Sequence, residues 1–109
     1  NVEILTVPST EENTQQVPLK VAMGLLHERG IKSLMVEGGA QVITAFLKAG
    51  LVDALVLTVA PRFLGGYKAV GDLQTDSLGN QLSIHPLHCA PAGKDLIVWG
   101  DLQYQGTTP

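Results

Sequence analysis

The sequence predicts an α/β fold: a mixed sheet with a parallel β-α-β-α-β core, closed by a C-terminal antiparallel hairpin. Three observations carry this. Over residues 2–60, short runs of aliphatic and β-branched residues alternate with helical periodicities. Residues 53–60 are nearly continuous in apolar side chains, which suits a strand covered on both faces of a parallel sheet. Residues 82–89 and 95–103 then read as two strands joined near Pro91-Ala92-Gly93-Lys94, a connection short enough to make them a hairpin. The order of the first three strands and two helices implies two right-handed crossovers. Ligand sites in such sheets lie beyond the carboxyl ends of the strands.

Val2, Ile4, Leu5 and Val7 form the first expected strand, stopped by Pro8. Residues 8–17 are polar and read as a surface loop. Pro18 suits a helix start, where its missing N–H costs nothing. Leu19, Ala22, Met23 and Leu26 follow at helical spacing, and Gly30 stands where a helix C-terminus favours glycine. A second strand is expected over residues 32–37. A second helix carries Val42, Ile43, Phe46 and Leu47 on one face and closes at Gly50. The strand over 53–60 ends at Ala60-Pro61-Arg62. Beyond it, Phe63-Leu64-Gly65-Gly66-Tyr67 is a glycine-containing loop, and residues 68–81 show no sustained period. Gly106-Thr107-Thr108-Pro109 reads as a tail.

The chain has 109 residues, enough for one domain with a modest core. A hydrophobic fraction of 45% with 16% charged residues is that of a globular protein rather than a disordered one. The net charge of −3 and the lack of any basic cluster exclude the footprint of a nucleic-acid or anionic-membrane binder. Small anions stay open as ligands, because a helix N-terminus binds them without many Lys or Arg. One cysteine, Cys89, excludes an internal disulfide framework and a cysteine-rich zinc site. With no secretory signal and no apolar run of bilayer length, the expected compartment is the cytoplasm. The first residue is not Met, and the chain opens inside a core-like strand, so it is expected to be a piece of a longer chain.

The stretch that carries chemistry is Glu37-Gly38-Gly39-Ala40-Gln41-Val42. A strand that turns through two glycines into a helix lets a ligand lie against the backbone. The helix start offers unpaired N–H groups and a partial positive charge, suited to a phosphate or pyrophosphate. Glu37 would stand beside that ligand. On local pattern alone, the alternative is that the glycine pair only makes a tight turn and Glu37 is a solvated acid.

Other reactive side chains read as structural. His85 and His88 would point to opposite faces of one strand with no third ligand near in sequence, so no metal site is expected. His27 sits late in a helix, where a cation is favoured. Cys89 lacks an identifiable base and reads as packing, and Trp99 as core. Asp53 suits a turn or cap. Arg62, just past a strand on the ligand side, meets either solvent or a phosphate. No Ser-His-Asp arrangement, Walker sequence or GxGxxG fingerprint is present.

Leu34-Met35-Val36-Glu37-Gly38-Gly39-Ala40, then Phe46-Leu47, Gly50-Leu51-Val52-Asp53, Ala60-Pro61 and Leu64-Gly65-Gly66, resembles the riboflavin-biosynthesis reductase family. The blocks keep order and spacing from Val2 to Gly66, and the closing hairpin fits too. The resemblance implies a dihydrofolate reductase-like fold. It also implies NADPH-dependent reduction of the ribosylamino side chain of 5-amino-6-(5-phosphoribosylamino)uracil to a ribitylamino group. Gly38 and Gly39, with Ala40, Gln41 and Val42, would hold the cofactor pyrophosphate, and Glu37 would contact the substrate near the reacting carbon. No catalytic residue is assigned. Family members carry about half of the reductase domain ahead of the point where this chain begins. The chain is accordingly expected to be the C-terminal half of that domain, residues 1–109 belonging to it throughout. It would associate as a homodimer or with the missing N-terminal half. Two other readings stay open: a related reductase of another pterin or pyrimidine, and a non-catalytic nucleotide-binding or dimerisation module.

Overall fold

The computed structural model describes residues 1–8, 16–74 and 81–104. The expected polar loop over 8–17 falls mostly outside these residues, as does part of the loop over 68–81. The expected C-terminal tail lies wholly outside them. The chain divides into two compact units, Asn1–Glu37 and Gly38–Pro109.

The first unit contains α1, Leu19–Glu28. Pro18 is its N-cap, one position earlier than the sequence suggests, and its carbonyl accepts the Ala22 N–H at 3.0 Å. Leu19, Ala22, Met23 and Leu26 are half-buried, as their spacing requires. Gly30 at φ 83° closes the helix: its N–H donates to the His27 carbonyl at 2.9 Å and the Ile31 N–H to the Leu26 carbonyl at 3.1 Å. This is a Schellman closure, for which the left-handed residue is almost always glycine. Arg29 pairs with Glu3 at 2.6 Å, tying the first residues to the end of α1. Both side chains are well exposed, at 44% and 73%, so the pair is worth at most about 1 kcal/mol.

Residues 2–7 and 32–37, expected as strands, have no regular secondary structure. Neither enters a ladder, so the expected parallel crossovers are not formed among the described residues. The physical reason is cooperative. A parallel strand is held by neighbours on its edges and cover on its faces, and apolar composition alone does not hold it extended. Val2, Ile4 and Met35 are 94%, 87% and 81% exposed, so these runs lack the cover that their composition calls for.

Among its described residues the second unit holds α2, Ala40–Lys48, and four strands: β1 Ala54–Val59, β2 Ser83–Ile84, β3 His88–Ala92 and β4 Asp95–Gln103. Phe46 and Leu47 on α2 are buried. A second Schellman closure ends the helix, with Gly50 N–H to the Leu47 carbonyl and Leu51 N–H to the Phe46 carbonyl, both at 3.2 Å. β4 is the centre of the sheet, with β1 antiparallel on one edge and β3 and then β2 antiparallel on the other. Gly93 and Lys94 join β3 to β4, with Ala92 opposite Asp95. Gly93 has φ 62° and Lys94 does not enter that region, the pattern of a type II′ hairpin turn.

The expected strand over 82–89 is therefore two strands. The register shifts by one residue between the Ile84–Leu102 pair and the His88–Trp99 pair, so residues 85–87 bulge opposite Gly100 and Asp101. The His85–Pro86 peptide within the bulge is cis. Gly100 is buried, and a Cβ there would overlap the Pro86 carbonyl oxygen and the Ile84 methyl.

β1 differs from the doubly covered strand read from its composition. Leu55 is half-buried, whereas Val56, Leu57 and Val59 are 67%, 41% and 51% exposed. Trp99, expected in the core, is 38% exposed and stacks on His88 with ring centroids 5.6 Å apart. Cys89 is exposed rather than packed. By register Val56, Trp99 and His88 share one face of the sheet, and Leu57, Val59 and Cys89 the other, so apolar side chains are exposed on both faces. Asp53 acts through its backbone: its carbonyl accepts the Leu102 N–H at 2.8 Å and prolongs the ladder.

Candidate functional site

The glycine pair begins the second unit, one peptide bond after Glu37. Gly38 has φ 84° and Gly39 has φ 72°, ψ 122°, conformations that residues with a Cβ rarely adopt. Gly39 is the N-cap of α2, and its carbonyl accepts the Ile43 N–H at 3.2 Å. No side chain caps the helix. By helix geometry the N–H groups of Ala40, Gln41 and Val42 have no carbonyl one turn back. They face outward with the positive end of the helix dipole. A Cβ built on Gly38 or Gly39 meets no atom within 4 Å. The glycines are therefore required by backbone conformation, and the space beside them is open to a ligand.

Glu37 is exposed and, among the described residues, its carboxylate makes no hydrogen bond or ion pair. Arg62 is exposed in a tight turn at the carboxyl end of β1, where its N–H donates to the Ala60 carbonyl at 2.8 Å. Gly38, Gly39, Ala40, Gln41 and Val42 thus form one local constellation through the start of α2.

One residue beside this constellation is not conspicuous in the sequence. Thr44 Oγ1 donates to the Ala40 carbonyl at 2.5 Å and accepts the Gly71 N–H at 2.7 Å. The signal for it is slight: a hydroxyl beside the apolar stripe of α2, four residues after the helix start, where threonine bonds back to the preceding turn. A shallow cleft of about 240 Å³ lies elsewhere, lined by Ala54, Val56, Pro86, His88, Trp99 and Asp101. It is smaller than the usual ligand pocket and includes none of the glycine-pair residues.

The profile of the RibD C-terminal domain matches residues 1–98. The riboflavin biosynthesis protein RibD of Aquifex aeolicus is 36% identical over 81 residues, covering 74% of this chain and 23% of that protein. The 2,5-diamino-6-ribosylamino-4(3H)-pyrimidinone 5′-phosphate reductase of Methanothermobacter thermautotrophicus is 33% identical over 88 residues, covering 78% of this chain and 41% of its own. A crystal structure of a pyrimidine reductase-like protein from Corynebacterium diphtheriae superposes with a TM-score of 0.64 at 30% identity, over 84% of this chain and 38% of that one. The chain thus spans less than half the length of each of these proteins.

Proposed function

The chain belongs to the RibD C-terminal domain family, and from that premise we propose that it is part of an NADPH-dependent reductase of riboflavin biosynthesis. Both units then belong to one dihydrofolate reductase-like domain, of which this chain is the C-terminal half. The continuous match over residues 1–98, which crosses the boundary between the units, supports this. In the complete domain, residues 2–7 and 32–37 gain the neighbours that make them strands of a parallel core. The enzyme works in the cytoplasm, as a homodimer or in association with the missing half. Among the described residues no helix is long and apolar enough to cross a membrane.

The observation that carries the reading is the glycine pair: two glycines at positive φ open α2 with free space where their Cβ atoms would stand. That open space supports the pyrophosphate reading. Gly38 and Gly39 admit the pyrophosphate to the backbone, and the N–H groups of Ala40, Gln41 and Val42 donate to its oxygens. Bound NADPH supplies the hydride that reduces the ring-opened ribosylamino carbon. The protein's share is to hold two ligands in one frame and to manage charge. Glu37 contacts the substrate beside that carbon, where its carboxylate holds the sugar hydroxyls or favours the cationic iminium.

The substrate is 5-amino-6-(5-phosphoribosylamino)uracil. A second reading is favoured by the Methanothermobacter relative, named for a 2,5-diaminopyrimidinone rather than an aminouracil. The full-length protein, given NADPH and each pyrimidine in turn, separates the two by the ratio of kcat/KM. Failure to oxidise NADPH with either compound supports a non-catalytic module instead.

A further inference from the structure

We propose that Thr44 is a positioning residue: its hydroxyl ties the segment around Gly71 to the first turn of α2 and holds it beside the glycine pair. The inference rests on the function proposed above.

Thr44 lies one turn into α2, and helical side chains tilt toward the N-terminus, so its hydroxyl reaches the turn that begins at Ala40. There it bridges two backbones, donating to the Ala40 carbonyl at 2.5 Å and accepting the Gly71 N–H at 2.7 Å. From residue 61 to residue 74, Gly71 and Leu73 are the only positions not exposed. The segment therefore comes down onto the unit where the threonine holds it. A Cβ on Gly71 would stand 3.3 Å from Thr44 Oγ1, so the approach leaves little room for a side chain. Just beyond, Asp72 Oδ1 accepts the Gln74 N–H at 2.7 Å and shapes the next turn.

The helix itself does not need the hydroxyl. A mid-helix threonine bonded back four residues is neutral to slightly unfavourable, and valine would fill the same shape. The bond to Gly71 is what the hydroxyl adds. It fixes Gly71 against the first turn of α2 and so braces the turn that opens the proposed cofactor site.

The test uses the full-length protein with Thr44→Val, which removes the hydroxyl at nearly constant shape, and Thr44→Ser, which keeps it. In Thr44→Val the Gly71 amide should lose hydrogen-exchange protection. KM for NADPH should rise about three- to tenfold, the scale of one net hydrogen bond, with kcat within about twofold. Thr44→Ser should restore both. Gly71→Ala, which crowds the same contact from the other side, should also raise KM. Unchanged KM and Gly71 exchange in Thr44→Val would overturn the proposal, and so would a serine variant as impaired as the valine one. Failure of the wild-type protein to bind NADPH refutes the proposed function and the bracing of its cofactor site, while Gly71 exchange still decides the tether.

Discussion

Replacing Gly39 with alanine in the full-length protein separates backbone conformation from ligand space. A Cβ there meets no atom within 4 Å, so the substitution carries no steric cost in the free protein. The cost is conformational. At φ 72°, ψ 122° an L-residue lies outside both the common regions and the small left-handed one, a strain of about 1–3 kcal/mol. If the proposed cradle holds the pyrophosphate, the cofactor would meet a second penalty, because the new methyl group would crowd its approach to the N–H groups of Ala40 and Gln41. Loss of one charge-assisted hydrogen bond is worth about 1.5–3 kcal/mol, or roughly ten- to a hundredfold in affinity. Gly24→Ala in α1 is the matched control. It also meets open space but has an ordinary φ, so it should stabilise by about 0.4–1 kcal/mol and leave NADPH binding unchanged. Urea unfolding measures the first effect and calorimetric titration with NADPH the second. Wild-type affinity in Gly39→Ala would refute the pyrophosphate cradle. An unchanged unfolding free energy would refute the conformational argument. Gly39→Val should abolish binding, with a larger folding cost because branched residues tolerate positive φ least.

Glu37→Gln keeps shape and removes charge, so NADPH affinity should hold while turnover falls roughly ten- to a thousandfold. Steady-state kinetics with the pyrimidine substrate checks this, and wild-type turnover would make Glu37 peripheral. Gly100→Ala drives a methyl group into the Pro86 carbonyl and the Ile84 side chain, and should cost about 1–3 kcal/mol in denaturant unfolding. The 109-residue chain by itself should lack reductase activity and self-associate. Exposed Val56, Val59 and Trp99 on a sheet with open edges favour pairing with another chain. Light scattering and an NADPH oxidation assay test this, and an active monomer would contradict the half-domain reading.

Local signals in the sequence determined the elements whose stabilisation is itself local. α1 and α2 lie where the apolar spacing puts them, and Gly30 and Gly50 end them through bonds between residues three to five apart. The β3–β4 hairpin follows from Gly93, because a two-residue turn needs a left-handed backbone at that point. The glycine pair after Glu37 was legible for the same reason: positive φ is nearly a property of the residue type. What only tertiary structure decided depends on partners distant in sequence. β1 reads as a buried strand, yet its ladder is antiparallel with β4, about forty residues on. Residues 2–7 and 32–37 have strand composition and no strand, because a ladder needs a neighbour and composition cannot supply one. The bulge at residues 85–87 arises from a register mismatch that appears only when β2 and β3 both pair with β4. Thr44 acquires its role from Gly71, whose N–H reaches its hydroxyl across 27 residues of chain that no periodicity in α2 records.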